Sequence, residues 1–143
     1  WATDVFRPAV QQASSRDVVI CFEPLAPSET NFINTAEQAI AFVKQVESPN
    51  FKIILDVKAM CSEAKPIPQI IRESWPHFAY FHANDRNLKG PGFGDVDFRP
   101  IAAALREVGY PGYVSVEVFK FEEGPEAIAR RSLDYLKTAF GEG

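Results

Sequence analysis

Lysine and arginine never cluster in this 143-residue chain, whose net charge is −4. Arg130 and Arg131 are neighbours, but the same helical segment carries Glu126 and Asp134, so the electrostatic footprint of a nucleic-acid-binding surface is missing. Long apolar runs are missing as well. None approaches the roughly 20 residues that span a bilayer, and the amino terminus has no charged region leading into an apolar signal core. The expected address is the cytoplasm, with no membrane partner. Cysteine is scarce: Cys21 and Cys61 form neither a CxxC pair nor a ligand cluster, which argues against a disulfide scaffold. Cys21, inside an apolar run, reads as a small core residue, and Cys61 as a loop residue open to exposure. The stretch Gly90-Pro91-Gly92-Phe93-Gly94 lacks both the Lys-Ser/Thr ending of a phosphate-binding loop and the GxGxxG spacing, so it reads as a turn rich in positive φ. No repeat at solenoid spacing and no low-complexity segment occurs.

What is present is ordinary globular composition, 46% apolar and 24% charged, in a chain long enough for one domain with its own core, taken as residues 1–143. Four short apolar runs read as buried strands: VVICFE (18–23), FKIILD (51–56), FAYFH (78–82) and YVSVEVF (113–119). Helical segments separate them. Residues 1–15 are helical in part, and the Pro24 to Asn34 loop is long for a strand-to-helix connection, as loops that cover a site often are. Thr35 and Gln38 form a capping-box pattern before a helix whose apolar face is Ala36, Ala39, Ile40, Val43 and Val46. After Asp56 comes an extended loop, VKAMCSEAKP, then a helix from about Pro68 to Ser74. Asp97 caps a helix with Pro100 in its first turn, striped by Ile101, Ala104, Leu105 and Val108 and ended by Gly109. Pro125 opens a last helix with Ile128, Ala129, Leu133 and Leu136 facing inward. The alternation predicts an α/β fold with parallel strands and outer helices.

Four residues at or near the carboxyl ends of those strands, Glu23, Asp56, His82 and Glu117, can ligate a metal. Each has a plainer reading: Glu23 as a solvated loop residue, Asp56 as a helix N-cap, His82 as a satisfied core histidine, Glu117 as the partner of Lys120 or an arginine. Their shared placement favours one site, because ionisable groups in Val/Ile/Phe runs are costly to bury without a partner. Side chains alternate along a strand, so Cys21, Ile54, Tyr80 and Ser115, each two residues earlier, are expected to face the same way. Three carboxylates and an imidazole suit Mn²⁺, Mg²⁺, Co²⁺ or Zn²⁺ and do not suit a thiolate-seeking ion. Such a cation polarises carbonyl and hydroxyl oxygens and makes an adjacent C–H more acidic. With a glutamate on either side, the expected reaction class is proton transfer at carbon.

CFEPL, ILDVKAM, FHANDRN, GPGFGDVDF and GYVSVEVF, in this order, resemble the carboxyl-terminal half of the xylose-isomerase-like TIM barrels, a group of sugar isomerases and epimerases. The resemblance runs from about Val18 to Leu136. It implies strands five to eight of a barrel, a divalent metal, most often manganese, on Glu23, Asp56, His82 and Glu117, and a proton-transfer pair in Glu23 and Glu117. It also implies a sugar, hydroxyketone or polyol derivative as the small-molecule partner. Two substrate contacts of the family lack a clear match: the histidine three residues after the metal aspartate is Ala59 here, with Lys58 beside it, and Arg86 is the nearest counterpart of an arginine beyond the metal histidine. The DNA-repair branch needs further histidine ligands that this chain lacks. A dehydratase on the same barrel and an inactive half-barrel binding or structural module stand as alternatives to the epimerase.

A TIM barrel has eight strands and about 250 residues, whereas four strands are legible here. The outer strands would expose unpaired edges. The chain is therefore expected to be a piece of a longer protein, as the lack of an initiating Met suggests, or to pair with a second copy, a two-fold dimer first.

Overall fold

A computed structural model of the chain describes residues 1–141. Four parallel strands, β1 (Ile20–Phe22), β2 (Phe51–Asp56), β3 (Phe78–Ala83) and β4 (Val114–Val116), lie side by side in chain order. Parallel neighbours need crossovers. These are supplied by α2 (Ala36–Val46), by α3 (Val57–Met60) with α4 (Ile67–Ser74), and by α5 (Phe98–Glu107), while α1 (Ala2–Ser14) precedes β1 and α6 (Pro125–Phe140) follows β4. The fold is the (βα)4 half of a TIM barrel, as the sequence predicts. β1 and β4 are shorter than their apolar runs because an edge strand is pinned by hydrogen bonds from one side only.

Register fixes which side chains share a face. Cys21 pairs with Lys52, Ile54 with Tyr80, Asp56 with His82, and His82 with Ser115. Alternation then puts Cys21, Ile54, Tyr80 and Ser115 on one face together with the ligand positions. The opposite face, Phe51, Ile53, Leu55, Phe81 and Ala83, is fully buried under the helices.

Local expectations need several corrections. The segment after Asp56 is not all loop: Asp56 caps the short helix α3, its Oδ1 accepting from the Ala59 amide at 2.7 Å. Thr35 caps α2 through the Gln38 amide, but Gln38 Oε1 reaches back to the Asn34 amide, one residue earlier than a capping box requires. Phe42 joins the buried face of α2, edge-on to Phe6, Phe22 and Phe51, while Ile40 is only half-buried. In α6 the buried stripe is Ile128, Ser132 and Leu136, and Ala129 and Leu133 face solvent, because this helix packs with that one side on β4, α5 and the loop at Gly90. Cys21 is half-buried on the ligand face rather than in the core, Cys61 is half-buried too, and burial pushes both thiols up.

Within Gly90-Pro91-Gly92-Phe93-Gly94, only Gly92 has positive φ (82°). Gly90 and Gly94 serve close approach instead. A Cβ at Gly90 would meet the Ser132 side chain, and one at Gly94 would fall on the Asp85 carboxylate.

Candidate metal centre

The strand ends bring the four predicted ligands together. One ligand atom from each of Glu23, Asp56, His82 and Glu117 lies within 4.8 Å of all the others. Each strand contributes one residue: Asp56 closes β2, His82 lies in β3, and Glu23 and Glu117 each follow an edge strand by one residue. His82 Nδ1 is 3.1 Å from Glu23 Oε1, 3.4 Å from Glu117 Oε2 and 3.8 Å from Asp56 Oδ2. Tyr80 stands edge-on to the imidazole and shares a 2.6 Å hydrogen bond with Ser115, so the layer below the ligands is ordered by its own polar pair.

Asp56 satisfies two of the readings open in the sequence. Its Oδ1 caps α3, and its Oδ2 is turned to the cluster. Glu23 is not a free loop residue, since it contacts His82, and Glu117 turns to His82 and Asn84.

Asn84 was not singled out by sequence reasoning. It is completely buried, and its Nδ2 donates to Asp56 Oδ2 at 2.6 Å and to Glu117 Oε2 at 3.2 Å, while its Oδ1 accepts from the Lys58 amide at 2.7 Å. A signal for it existed: Asn84 follows His82 by two, so strand alternation carried one step past β3 puts it on the ligand face. Asp85, its neighbour, is buried on the other side and accepts from the Val96 amide at 2.9 Å, shaping the loop before α5.

The two residues expected as substrate contacts have different surroundings. Lys58 Nζ is 2.8 Å from Glu29 Oε1 and 4.2 Å from the centre of the Phe119 ring. Arg86 is exposed in a cavity of about 400 Å³ that it lines with Cys61, Asp85, Asp95 and Asp97.

Three carboxylates share this small space with one imidazole. Burial, with Asp56 and Glu23 adding to it, holds the Glu117 carboxyl above its ordinary value against the opposing pull of His82. The hydrogen bond to Glu23 and the surrounding carboxylates raise His82, against burial. The His82 shift reports the negative charge around it, and the Glu117 shift reports burial first and that charge second; a divalent cation would neutralise the charge. The all-oxygen-and-nitrogen donor set fits a hard or borderline cation. Among the described residues no helix is long and apolar enough to cross a membrane.

Comparison with known proteins agrees with this fold. The D-psicose 3-epimerase of Agrobacterium fabrum is 35% identical over 107 residues, which are 75% of this chain and 37% of that protein. A crystal structure of D-psicose 3-epimerase in the presence of D-fructose superposes with a TM-score of 0.89 at 27% identity, covering 97% of this chain and 55% of the other. The 3-keto-D-glucoside 4-epimerase of E. coli does so with a TM-score of 0.89 at 29% identity, covering 95% and 52%. The chain thus spans about half, or less, of the length of the relatives it matches. The sequence model of the xylose isomerase-like TIM barrels matches residues 1–139, and the chain belongs to that family.

Proposed function

We propose that this chain is the carboxyl-terminal half-barrel, strands five to eight in one domain over residues 1–143, of a cytoplasmic, divalent-metal-dependent epimerase or isomerase acting on a sugar or hydroxyketone. The observation that carries the reading is the convergence of Glu23, Asp56, His82 and Glu117 to within 4.8 Å. Manganese is the proposed ion, with Mg²⁺, Co²⁺ and Zn²⁺ as other fits to the donor set. When bound, the cation would hold and polarise neighbouring substrate oxygens and so acidify the C–H beside a carbonyl. Glu23 and Glu117 come from opposite edges of the sheet. One carboxylate removing a proton from a carbon and the other returning one to the far face inverts that centre. Asp56 and His82 carry the metal without a proton-transfer role. Of the two proposed substrate contacts, Arg86 is exposed and open to hydroxyl or anionic groups, whereas the Lys58 ammonium is already held by Glu29 and the Phe119 ring. The relatives' activities, epimerisation of D-psicose at carbon 3 and of a 3-keto-glucoside at carbon 4, support the substrate class.

The test is an assay of the protein encoded by the full reading frame around this segment, with manganese, against a panel of ketoses and inososes. An epimeric product, with solvent deuterium entering at the inverted carbon, is expected. An unsaturated product would replace the reading with a dehydratase. Manganese binding without turnover on the panel, or no manganese binding, would overturn it.

A further inference from the structure

Lysine ammonium groups normally stand in water, yet the Lys58 side chain is only 9% exposed. Its backbone is fixed first: the Lys58 amide donates to Asn84 at the floor of the metal centre. Its ammonium then meets two groups from opposite ends of the sheet. Glu29, 2.8 Å away, belongs to the loop that follows Glu23 at β1, and the Phe119 ring, 4.2 Å from Nζ, belongs to the loop that follows Glu117 at β4. β1 and β4 are not neighbours in the sheet; β2 and β3 lie between them.

Both loops are tied down on their far sides. Glu29 Oε2 accepts from the Ala26 amide at 3.2 Å, and Asn34 Nδ2 donates to the Leu25 and Thr30 carbonyls. The Phe119 amide donates to the Leu88 carbonyl at 2.9 Å, and Leu88 itself sits at φ 72°, a conformation a leucine adopts only when its surroundings impose it. Lys58 spans the two loops from their inner sides.

We propose that Lys58 is a positioning residue: its ammonium straps the loop after β1 to the loop after β4 and thereby sets the separation of Glu23 and Glu117. A lysine suits the task because its long stem reaches both loops and its single charge serves a carboxylate and an aromatic face at once. The role concerns the same site as the proposed function and rests in part on it, since the consequence for the ligands presupposes that they bind metal. The strap itself does not.

The experiment compares the 143-residue chain with Lys58→Met, Lys58→Arg and Phe119→Leu, reading amide hydrogen exchange in residues 24–34 and 117–121 and manganese affinity by calorimetry. Lys58→Met is expected to speed exchange in both loops together, by about fivefold, and to weaken manganese binding about tenfold, the scale typical of groups that orient metal ligands. Lys58→Arg, which keeps charge and ring contact, restores both. Phe119→Leu loosens the β4 loop and, through Lys58, the β1 loop. Faster exchange in one loop alone, or in neither, overturns the strap, and it does so whether or not metal binds. Looser loops with unchanged manganese affinity overturn the positioning role. A parent chain that binds no manganese sinks the reading of the metal centre, and the exchange data alone then decide the strap.

Discussion

Replacing Asn84 by leucine, a side chain of nearly the same size, isolates what its amide does. Three hydrogen bonds disappear at a residue with no solvent exposure. The Lys58 amide loses its acceptor, and an unpartnered buried N–H costs about 1–3 kcal/mol. Two donor contacts to carboxylates also go. The one to Asp56, at 2.6 Å, is the stronger, while the one to Glu117, at 3.2 Å, reaches a side chain still one-third exposed and is discounted. Counting the first at about 1.5–3 kcal/mol and the second near zero, and adding the orphaned amide, gives a total loss of about 2.5–6 kcal/mol. For a chain of this length, whose whole stability is of order 7–20 kcal/mol, that is a large fraction. Urea unfolding of the metal-free protein, parent against variant at equal slope, measures it. Manganese should return part of the loss, because a cation takes over the Asp56 and Glu117 oxygens but leaves the Lys58 amide orphaned. A metal-free loss below about 1 kcal/mol, or complete rescue by manganese, would refute the assignment of Asn84 as the donor that holds the ligands.

Asp56→Asn keeps an oxygen to cap α3 through the Ala59 amide but removes a charge from the cluster, so manganese affinity should fall at least about tenfold with the melting temperature of the metal-free chain little changed; calorimetry showing parental affinity would reduce Asp56 to a cap. The pH dependence has a defined sign. His82 and Glu117 are both raised in the folded chain from ordinary values of 6.5 and 4.5, so the stability each lends the metal-free protein is complete below its ordinary value and lost as pH rises through its folded value. Both must give up protons to ligate, so manganese affinity should rise across the same window with proton release, and a flat affinity would contradict this. Gly94→Ala drives a methyl into the Asp85 carboxylate that orders the loop before α5, with an expected cost of about 1–3 kcal/mol read by thermal melting; an unchanged melting temperature would refute the close approach. The exposed edges of β1 and β4, with Val18, Val19, Tyr113 and Val116 beside them, predict that the isolated chain pairs with a second copy, and a monomer by light scattering at micromolar concentration would refute that.

The convergence of the four candidate ligands is legible because strand alternation is a short-range rule: once Phe51 to Asp56 and Phe78 to Ala83 read as strands, the faces of Asp56 and His82 follow. Asn84 was missed because the rule was applied only within the apolar run, although the chain stays extended one residue farther. The Lys58 contacts were beyond reach for a different reason. Glu29 and Phe119 lie 29 and 61 residues from it, and nothing local in a loop announces a partner at that separation. The error in α6 has the same root, since periodicity shows that Leu133 is apolar but not how narrow the surface is that α6 covers.

The layout also explains why so much side-chain bonding surrounds the centre. Its outer members, Glu23 and Glu117, follow three-residue edge strands, each paired on one side only. Backbone pairing therefore fixes Asp56 and His82 more firmly than it fixes the two glutamates. Their places depend on contacts made above the sheet: His82 on Glu23, Asn84 on Glu117, and Lys58 across both loops. A divalent cation would act on the same weak points, joining both edges of the sheet through their carboxylates. Metal binding should thus stabilise the edges more than the centre, and hydrogen exchange with and without manganese would show the largest protection after β1 and β4. Equal protection in β2 and β3 would mean that the cation stiffens the sheet as a whole and that the edges need no such tie.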